Sequence, residues 1–198
     1  MIAIIDYGVG NLASIKNAFD SLNIESIITS DKSIILNSDK VILPGVGAFK
    51  DAIDLFRSKG FDDTIDQCIK LKKPILGICV GMQMLFQYSN EFGRHKGLGY
   101  FEGEFVKFDD SIYKVPHMGW NNIIIKNGCS LFNNISNPYV YFVHSYYLKD
   151  SKYSVAKCNY AGEDFCAAIW KDNIYATQFH PEKSGDVGLK ILKNFGDL

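Results

Sequence analysis

The chain has 198 residues, of which 47% are hydrophobic and 22% charged, and its formal net charge is -1. That composition suits a globular domain with a proper core, and the near-neutral balance argues against general nucleic-acid binding. No apolar stretch approaches the roughly 18 residues needed to cross a membrane, and the first residues lack a signal peptide's basic start and long apolar run, so a cytoplasmic protein is expected.

In chain order, residues 2–6 form a short apolar strand that stops at Gly8-Val9-Gly10. Residues 11–22 set Leu12, Ile15, Ala18, Phe19 and Leu22 at helical spacing. Strands follow over 24–28 and 40–43, the second ending at Pro44-Gly45, and helices over 48–56 and 61–71. Residues 75–78 make a fourth, wholly apolar strand, followed at once by Cys79 and a helix over 81–88. Short apolar strands separated by helices imply a parallel sheet buried on both faces. The second half turns mostly β, with strands over 101–108, 121–125, 139–143, 153–158, 166–170 and 174–178 and turns such as Lys126-Asn127-Gly128. These are antiparallel near the sheet edge, and a helix over 185–195 closes the chain. No Pro/Ser-rich linker, repeat or low-complexity tract interrupts it, so residues 1–198 read as a single α/β domain.

The five cysteines (68, 79, 129, 158 and 166) are odd in number and lack CxxC spacing, so neither a disulfide framework nor a zinc site is indicated. One stands apart. Gly77-Ile78-Cys79-Val80-Gly81 has the form G-x-C-x-G between an apolar strand and a helix, a nucleophile elbow with Cys in place of Ser. Such a turn is crowded, which calls for the flanking glycines, and it lifts the thiol to the carboxyl edge of the sheet at a helix N-terminus. A structural cysteine at a strand end is the plain alternative, and the glycines count against it.

Gln178-Phe179-His180-Pro181-Glu182-Lys183-Ser184 follows the last strand. A thiol nucleophile needs a base, and His titrates in the right range. A carboxylate two residues on, around a Pro-fixed turn, can orient the ring, so Cys79, His180 and Glu182 form the candidate triad. Pro44-Gly45-Val46-Gly47 ends another strand at the same edge. Val80 N–H and an N–H of this turn, from Val46 or Gly47, are candidates for an oxyanion hole, and the glycines leave a peptide free to rotate. Gln83, one turn beyond Cys79, and Glu91 suit the carboxylate and ammonium of an amino-acid substrate, with Gly45 and His144-Ser145-Tyr146 adding contacts. His144 is the competing candidate for the base, and His180 is preferred because of Glu182.

At this point GICVGMQ and QFHPEKS resemble the two signature segments of class I, triad-type glutamine amidotransferases. DYGVGN at 6–11, PGVGAF at 44–49, PHMGWN at 116–121 and FVHSYY at 142–147 are similar to the glutaminase subunits of imidazole glycerol phosphate synthases, and the similarity runs the length of the chain. The resemblance implies a three-layer, flavodoxin-like α/β fold, a central mostly parallel sheet with helices on both faces and an added antiparallel β region in the second half. It implies that L-glutamine is hydrolysed through a thioester on Cys79. The ammonia would pass to a (β/α)8-barrel cyclase partner in a heterodimer, where it reacts with the phosphoribulosyl-formimino ribotide PRFAR to give imidazole glycerol phosphate and an aminoimidazole ribotide. It places Val9, Asn11, Trp120, Tyr141 and Lys183 at or near the partner interface, makes Val46 N–H the mobile oxyanion donor, and requires no metal or organic cofactor. A paralogous role, feeding ammonia to a sugar-amidation pathway, would leave the same motifs. Two rivals are weaker: a cysteine hydrolase with a similar elbow gives no reason for HPE after the last strand or for the Gln83 pocket, and a non-catalytic module using Gly8-Val9-Gly10 as a phosphate loop lacks a third glycine and a downstream acid.

Overall fold

The computed structural model describes residues 1–126, 128–136 and 138–198. The first half alternates strand and helix: β1 (Ile2–Ile5), α1 (Leu12–Ser21), β2 (Ser26–Thr29), α2 (Lys32–Asn37), β3 (Lys40–Leu43), α3 (Phe49–Ser58), α4 (Phe61–Lys70), β4 (Ile75–Ile78) and α5 (Val80–Met84). A four-residue strand with no polar face belongs where both sides are covered, and every residue of β1 and β4 is buried. α1 buries Ile15, Ala18 and Phe19, an i, i+3, i+4 stripe.

The second half contains β5 (Phe86–Ser89), β6 (His95–Lys96), β7 (Phe101–Lys107), β8 (His117–Asn122), β9 (Ile124–Ile125), β10 (Tyr139–His144), β11 (Tyr146–Tyr147), β12 (Ser154–Tyr160), β13 (Glu163–Lys171), β14 (Ile174–Thr177) and α6 (Gly185–Gly196). Single 3-10 turns lie at Ser130–Phe132 and Pro181–Lys183. The main sheet runs β2-β1-β3-β4-β14-β13-β12-β9. Its first five strands are parallel and the rest antiparallel. This is the mostly parallel sheet with an antiparallel edge that the sequence predicts. Strand order reverses at β1, so right-handed crossovers put α1 on one face and α2, α3 and α4 on the other. The contacts agree: α1 packs with α6, while α4 packs with α2 and α3.

Outside this sheet, β8 and β10 form a two-stranded antiparallel ribbon, and β11-β7-β5-β6 a small separate sheet. Several expectations change here. The helix predicted over 81–88 ends at Met84, and Phe86–Ser89 is a strand. The carbonyls at 84–87 are taken by the chain at 97–101 (Leu98 N–H to Met84 O, 2.7 Å; Gly97 N–H to Gln87 O, 2.8 Å), so they are not left for helical partners. Glu91 therefore follows a strand, and the helix behind Cys79 is too short to bring much of a macrodipole. The strand predicted over 121–125 starts at His117 and breaks before Ile124. Pairing with β10 draws in His117-Met118-Gly119, where alternation is interrupted by a glycine at φ +140°. α2, β6 and β11 were not predicted. The expected turn at Lys126-Asn127-Gly128 includes Asn127, which lies outside the described residues.

Candidate active site

β4 and β14 are parallel neighbours in register, Ile78 opposite Thr177, and Cys79 N–H donates to Thr177 O at 2.8 Å. The segments that leave these two strands must meet at the carboxyl edge of the sheet, and they carry Cys79 and His180. Cys79 occupies φ 55°, ψ −111°, a backbone region that costs a non-glycine residue about 1–3 kcal/mol. The flanking glycines are sterically required. A Cβ on Gly77 would meet Gly81 O at 3.0 Å, and one on Gly81 would lie 2.0 Å from Leu43 O. A Cβ on Gly45 would lie 2.5 Å from Gly81 N, so the Pro44–Gly47 turn is pressed directly against the elbow.

His180 and the Glu182 side chain are buried, and the imidazole donates from Nδ1 to Glu182 Oε1 at 2.8 Å. The loop that carries them is clamped by β10: His180 N–H donates to Tyr141 O at 2.9 Å, and Ser184 Oγ accepts from Tyr141 N–H at 3.0 Å while donating to His180 O at 2.6 Å. His180 Nε2, the nitrogen left for Cys79, is buried without a hydrogen-bond partner among the described residues. Burial opposes charge on the ring, but Cys79 and the Glu182 carboxylate outweigh it and push His180 up to about 10. The ring therefore readily takes and holds a proton. By contrast, burial pushes Cys129 up to about 11 and Cys158 up to about 12, and raises Cys68 and Cys166, which makes these thiols poor nucleophiles.

A cavity of about 290 Å³ opens on this pair, and Val46, Gly47, Val80, Gln83, Glu91, His144, Ser145 and Tyr146 all line it. Gly45 does not; it packs behind, on the elbow backbone. Val80 is the first residue of α5, where an N–H has no acceptor within the helix, and Gly47 holds φ +83° with nothing within 4 Å of an added Cβ. Glu91 Oε2 accepts from Phe49 N–H at 2.6 Å, so it caps α3 as well as facing the cavity. Gln178 is the contributor that sequence reasoning passed over. Fully buried, it accepts from Gln83 Nε2 at 3.3 Å, and its own Nε2 lies 3.8 Å from Cys79 Sγ. Its place within QFHPEKS, next to the base, was the available signal.

A family model described as glutamine amidotransferase class-I matches residues 3–197. The chain belongs to the class I glutamine amidotransferases. Among curated relatives of this amidotransferase, a Syntrophotalea carbinolica protein is 47% identical, with all of both chains covered. A Geobacter metallireducens protein is 50% identical over 98% of this chain and 96% of its own. Both are named imidazole glycerol phosphate synthase subunit HisH. The solved structure of PurLQS from Thermotoga maritima shares the fold at a TM-score of 0.75 and 18% identity, covering 98% of this chain and 96% of that one.

The expected interface residues of this amidotransferase divide. Trp120 is 46% exposed and stacks on exposed Tyr139 at a centroid distance of 6.0 Å, which removes it from the core. Tyr141 meets its edge at 6.2 Å, and Lys183 Nζ stands 5.9 Å over the Tyr141 ring. Val9 is half-buried against the core. Asn11 points inward: Ser14 Oγ donates to its Oδ1 at 2.8 Å, and its Nδ2 reaches Glu182 Oε1 at 3.5 Å. His144 is engaged on both nitrogens and is held neutral by burial, so the geometry favours His180 as the candidate base. The Glu182 carboxylate, which accepts from Nδ1, is the candidate orienter of that ring. Glu182→Gln is thus expected to be roughly 10 to 100 times milder than His180→Ala in glutamine turnover. Equal losses in the two variants would assign Glu182 another role.

Proposed function

We propose that this chain is the glutamine-hydrolysing subunit of an imidazole glycerol phosphate synthase, acting in histidine biosynthesis as one cytoplasmic domain over residues 1–198. One observation carries the reading: relatives 47% and 50% identical across essentially their whole length bear that subunit's name, and the Cys79–His180–Glu182 geometry suits the chemistry. No helix among the described residues is long and apolar enough to cross a membrane.

Cys79 Sγ attacks the side-chain carbonyl carbon of glutamine and its proton passes to His180 Nε2. The oxyanion of the tetrahedral intermediate is held by Val80 N–H and by an N–H of the Val46–Gly47 turn. His180 returns the proton to the amide nitrogen, the C–N bond breaks, and ammonia leaves behind a glutamyl thioester. Water, deprotonated by His180, then cleaves the thioester to glutamate and restores the thiol.

The partner in this reading is a (β/α)8-barrel cyclase that uses the ammonia on PRFAR, giving imidazole glycerol phosphate and the aminoimidazole carboxamide ribotide. It docks on the outer face of the β8–β10 ribbon, where Met118, Trp120 and Tyr139 are exposed together. Such an apolar patch is where an interface anchor is sought. Trp120→Ala is expected to weaken partner affinity by about 2 kcal/mol with little change in melting temperature. A clear thermal loss at unchanged affinity would contradict this docking face. The function itself is tested by glutamate release from the purified chain, alone and with the barrel subunit of the same organism plus PRFAR. Strong joint stimulation supports the assignment. Release that ignores that partner moves the acceptor to another pathway, such as sugar amidation.

A further inference from the structure

Two buried imidazoles take no part in the chemistry above. His117 and His144 face each other in register across the β8–β10 ribbon, with His117 Nδ1 3.1 Å from His144 Nε2. The direction of this hydrogen bond is fixed from both ends. His144 Nδ1 lies 2.9 Å from Tyr146 O, a carbonyl that only accepts, so Nδ1 carries the proton. At the far end, Asn121 Oδ1 accepts from Asn122 N–H at 2.9 Å. The Asn121 NH2 group therefore donates, to Asn159 O at 3.0 Å and to His117 Nε2 at 3.4 Å. Burial holds both rings neutral, with His117 lowered to about 4 and His144 to about 3. With one proton on each ring, donors run one way, from Asn121 through His117 and His144 to Tyr146 O.

The rings are locked as well as bonded. His117 stacks on Tyr160 at 3.9 Å and on Phe142 at 4.8 Å, and rotation of the ring would have to break both stacks. The chain end of this relay is the wall of the active-site cavity. β10 stops at His144, β11 starts at Tyr146, and the bend between them brings His144, Ser145 and Tyr146 to the cavity that holds Cys79. Phe108 N–H fixes Ser145 O at 3.0 Å and Tyr146 pairs with Lys107 in the β11–β7 ladder; the tether that comes from the β10 side of the bend, onto Tyr146 O, is supplied by the imidazoles.

We propose that His117 and His144 are positioning residues for the substrate: a neutral imidazole relay that sets the Ser145–Tyr146 backbone against which glutamine is held. Neither ring reaches the reacting atoms, and the effect falls on substrate affinity, not on the thiol. This rests on the glutamine reading given above.

The test labels Cys79 with 6-diazo-5-oxo-L-norleucine, a glutamine-shaped electrophile, and separately with iodoacetamide, which needs no amino-acid pocket. His117→Phe keeps the ring stack and removes both nitrogens. It is expected to raise the half-saturating concentration of the diazoketone about tenfold, with its limiting rate and the iodoacetamide rate unchanged. His117→Asn, whose amide nitrogen takes about the place of Nδ1, is expected to restore affinity to within about twofold. Nitrogen-15 NMR of the unmutated chain is expected to show both rings neutral and protonated at Nδ1. Unchanged diazoketone affinity in His117→Phe would overturn the relay, as would an equal slowing of both reagents, which marks general loosening. If the unmutated chain reacts with iodoacetamide but not with the diazoketone, the glutamine reading falls first and the relay with it.

Discussion

Replacing Cys79 by Ala is expected to abolish glutamine hydrolysis, by at least roughly 10^4-fold, while ammonia-dependent synthesis by the partner subunit survives. The sulfur is the atom that forms the thioester, and no other thiol is placed to substitute for it: the remaining four cysteines are buried, with burial raising each of them out of the reactive range. Cys79→Ser is expected to fail almost as completely, because a hydroxyl gives up its proton far less readily than a thiol. The backbone adds a second, independent readout. At φ 55° and ψ −111° any Cβ is strained, so Cys79→Ala retains the strain and Cys79→Gly relieves it. Cys79→Gly is therefore expected to be more stable than Cys79→Ala by about 1 kcal/mol, although both are inactive. The elbow would thus be a place where stability is given up for reactivity. Retained glutaminase turnover in Cys79→Ala would remove Cys79 from the mechanism. Equal stability of the two variants would remove the strain argument alone.

How much of this was readable in the chain depends on where the deciding partner lies. β1, β3 and β4 are legible because their apolar residues are buried on both faces, a property that a short apolar run carries by itself. The elbow is legible because its pattern falls within five residues between an apolar strand and a helix, although the atom that forbids a Cβ on Gly81 is Leu43 O on another strand. The Phe86–Ser89 strand is not, because its ladder partners lie at 95–96 and 101–105, and the same residues alone fit a helix. α2 was missed although its signal was present, since Asp31 caps it by accepting from Ser33 N–H at 2.7 Å and Ile34 N–H at 3.4 Å. The placing of Gln83 at the cavity could be read from its spacing to Cys79, whereas Glu91 reaches the cavity by way of the Phe86–Ser89 strand and not along the helix that the sequence predicts. The contact of His117 with His144 could not, because 27 residues separate them and only the ribbon register brings them together. Asn11 carries a contact that the resemblance did not indicate: its amide reaches Glu182 Oε1 at 3.5 Å, a pairing that 171 residues of sequence separation hide.

Gly81→Ala is expected to be among the most damaging single-methyl changes near the site. Gly81 sits within α5, and on helix propensity alone Ala would gain about 1 kcal/mol there. The structure predicts the opposite sign. An added Cβ would lie 2.0 Å from Leu43 O and 3.0 Å from Leu43 C, both backbone atoms of a central strand. A flexible side chain could swing aside; a strand end held in register, with Leu43 opposite Gly77, cannot. Relief requires prising the elbow away from β3, which moves Cys79 and Val80 N–H together. A loss of roughly 3 kcal/mol is expected, or about 6–12 °C in melting temperature for a chain of this size. Activity in the folded fraction is expected to fall by about 10^2-fold, since a displacement on the order of 1 Å misaligns nucleophile, base and oxyanion donor. Gly47→Ala separates crowding from backbone strain. Nothing lies within 4 Å of its added Cβ, but its φ of +83° remains unfavourable. It is expected to lose only about 1 kcal/mol, with its functional cost confined to the turn's ability to present an N–H. Thermal melts of the two variants decide the matter: similar losses would mean that backbone strain, not the close approach of β3 to the elbow, governs both glycines.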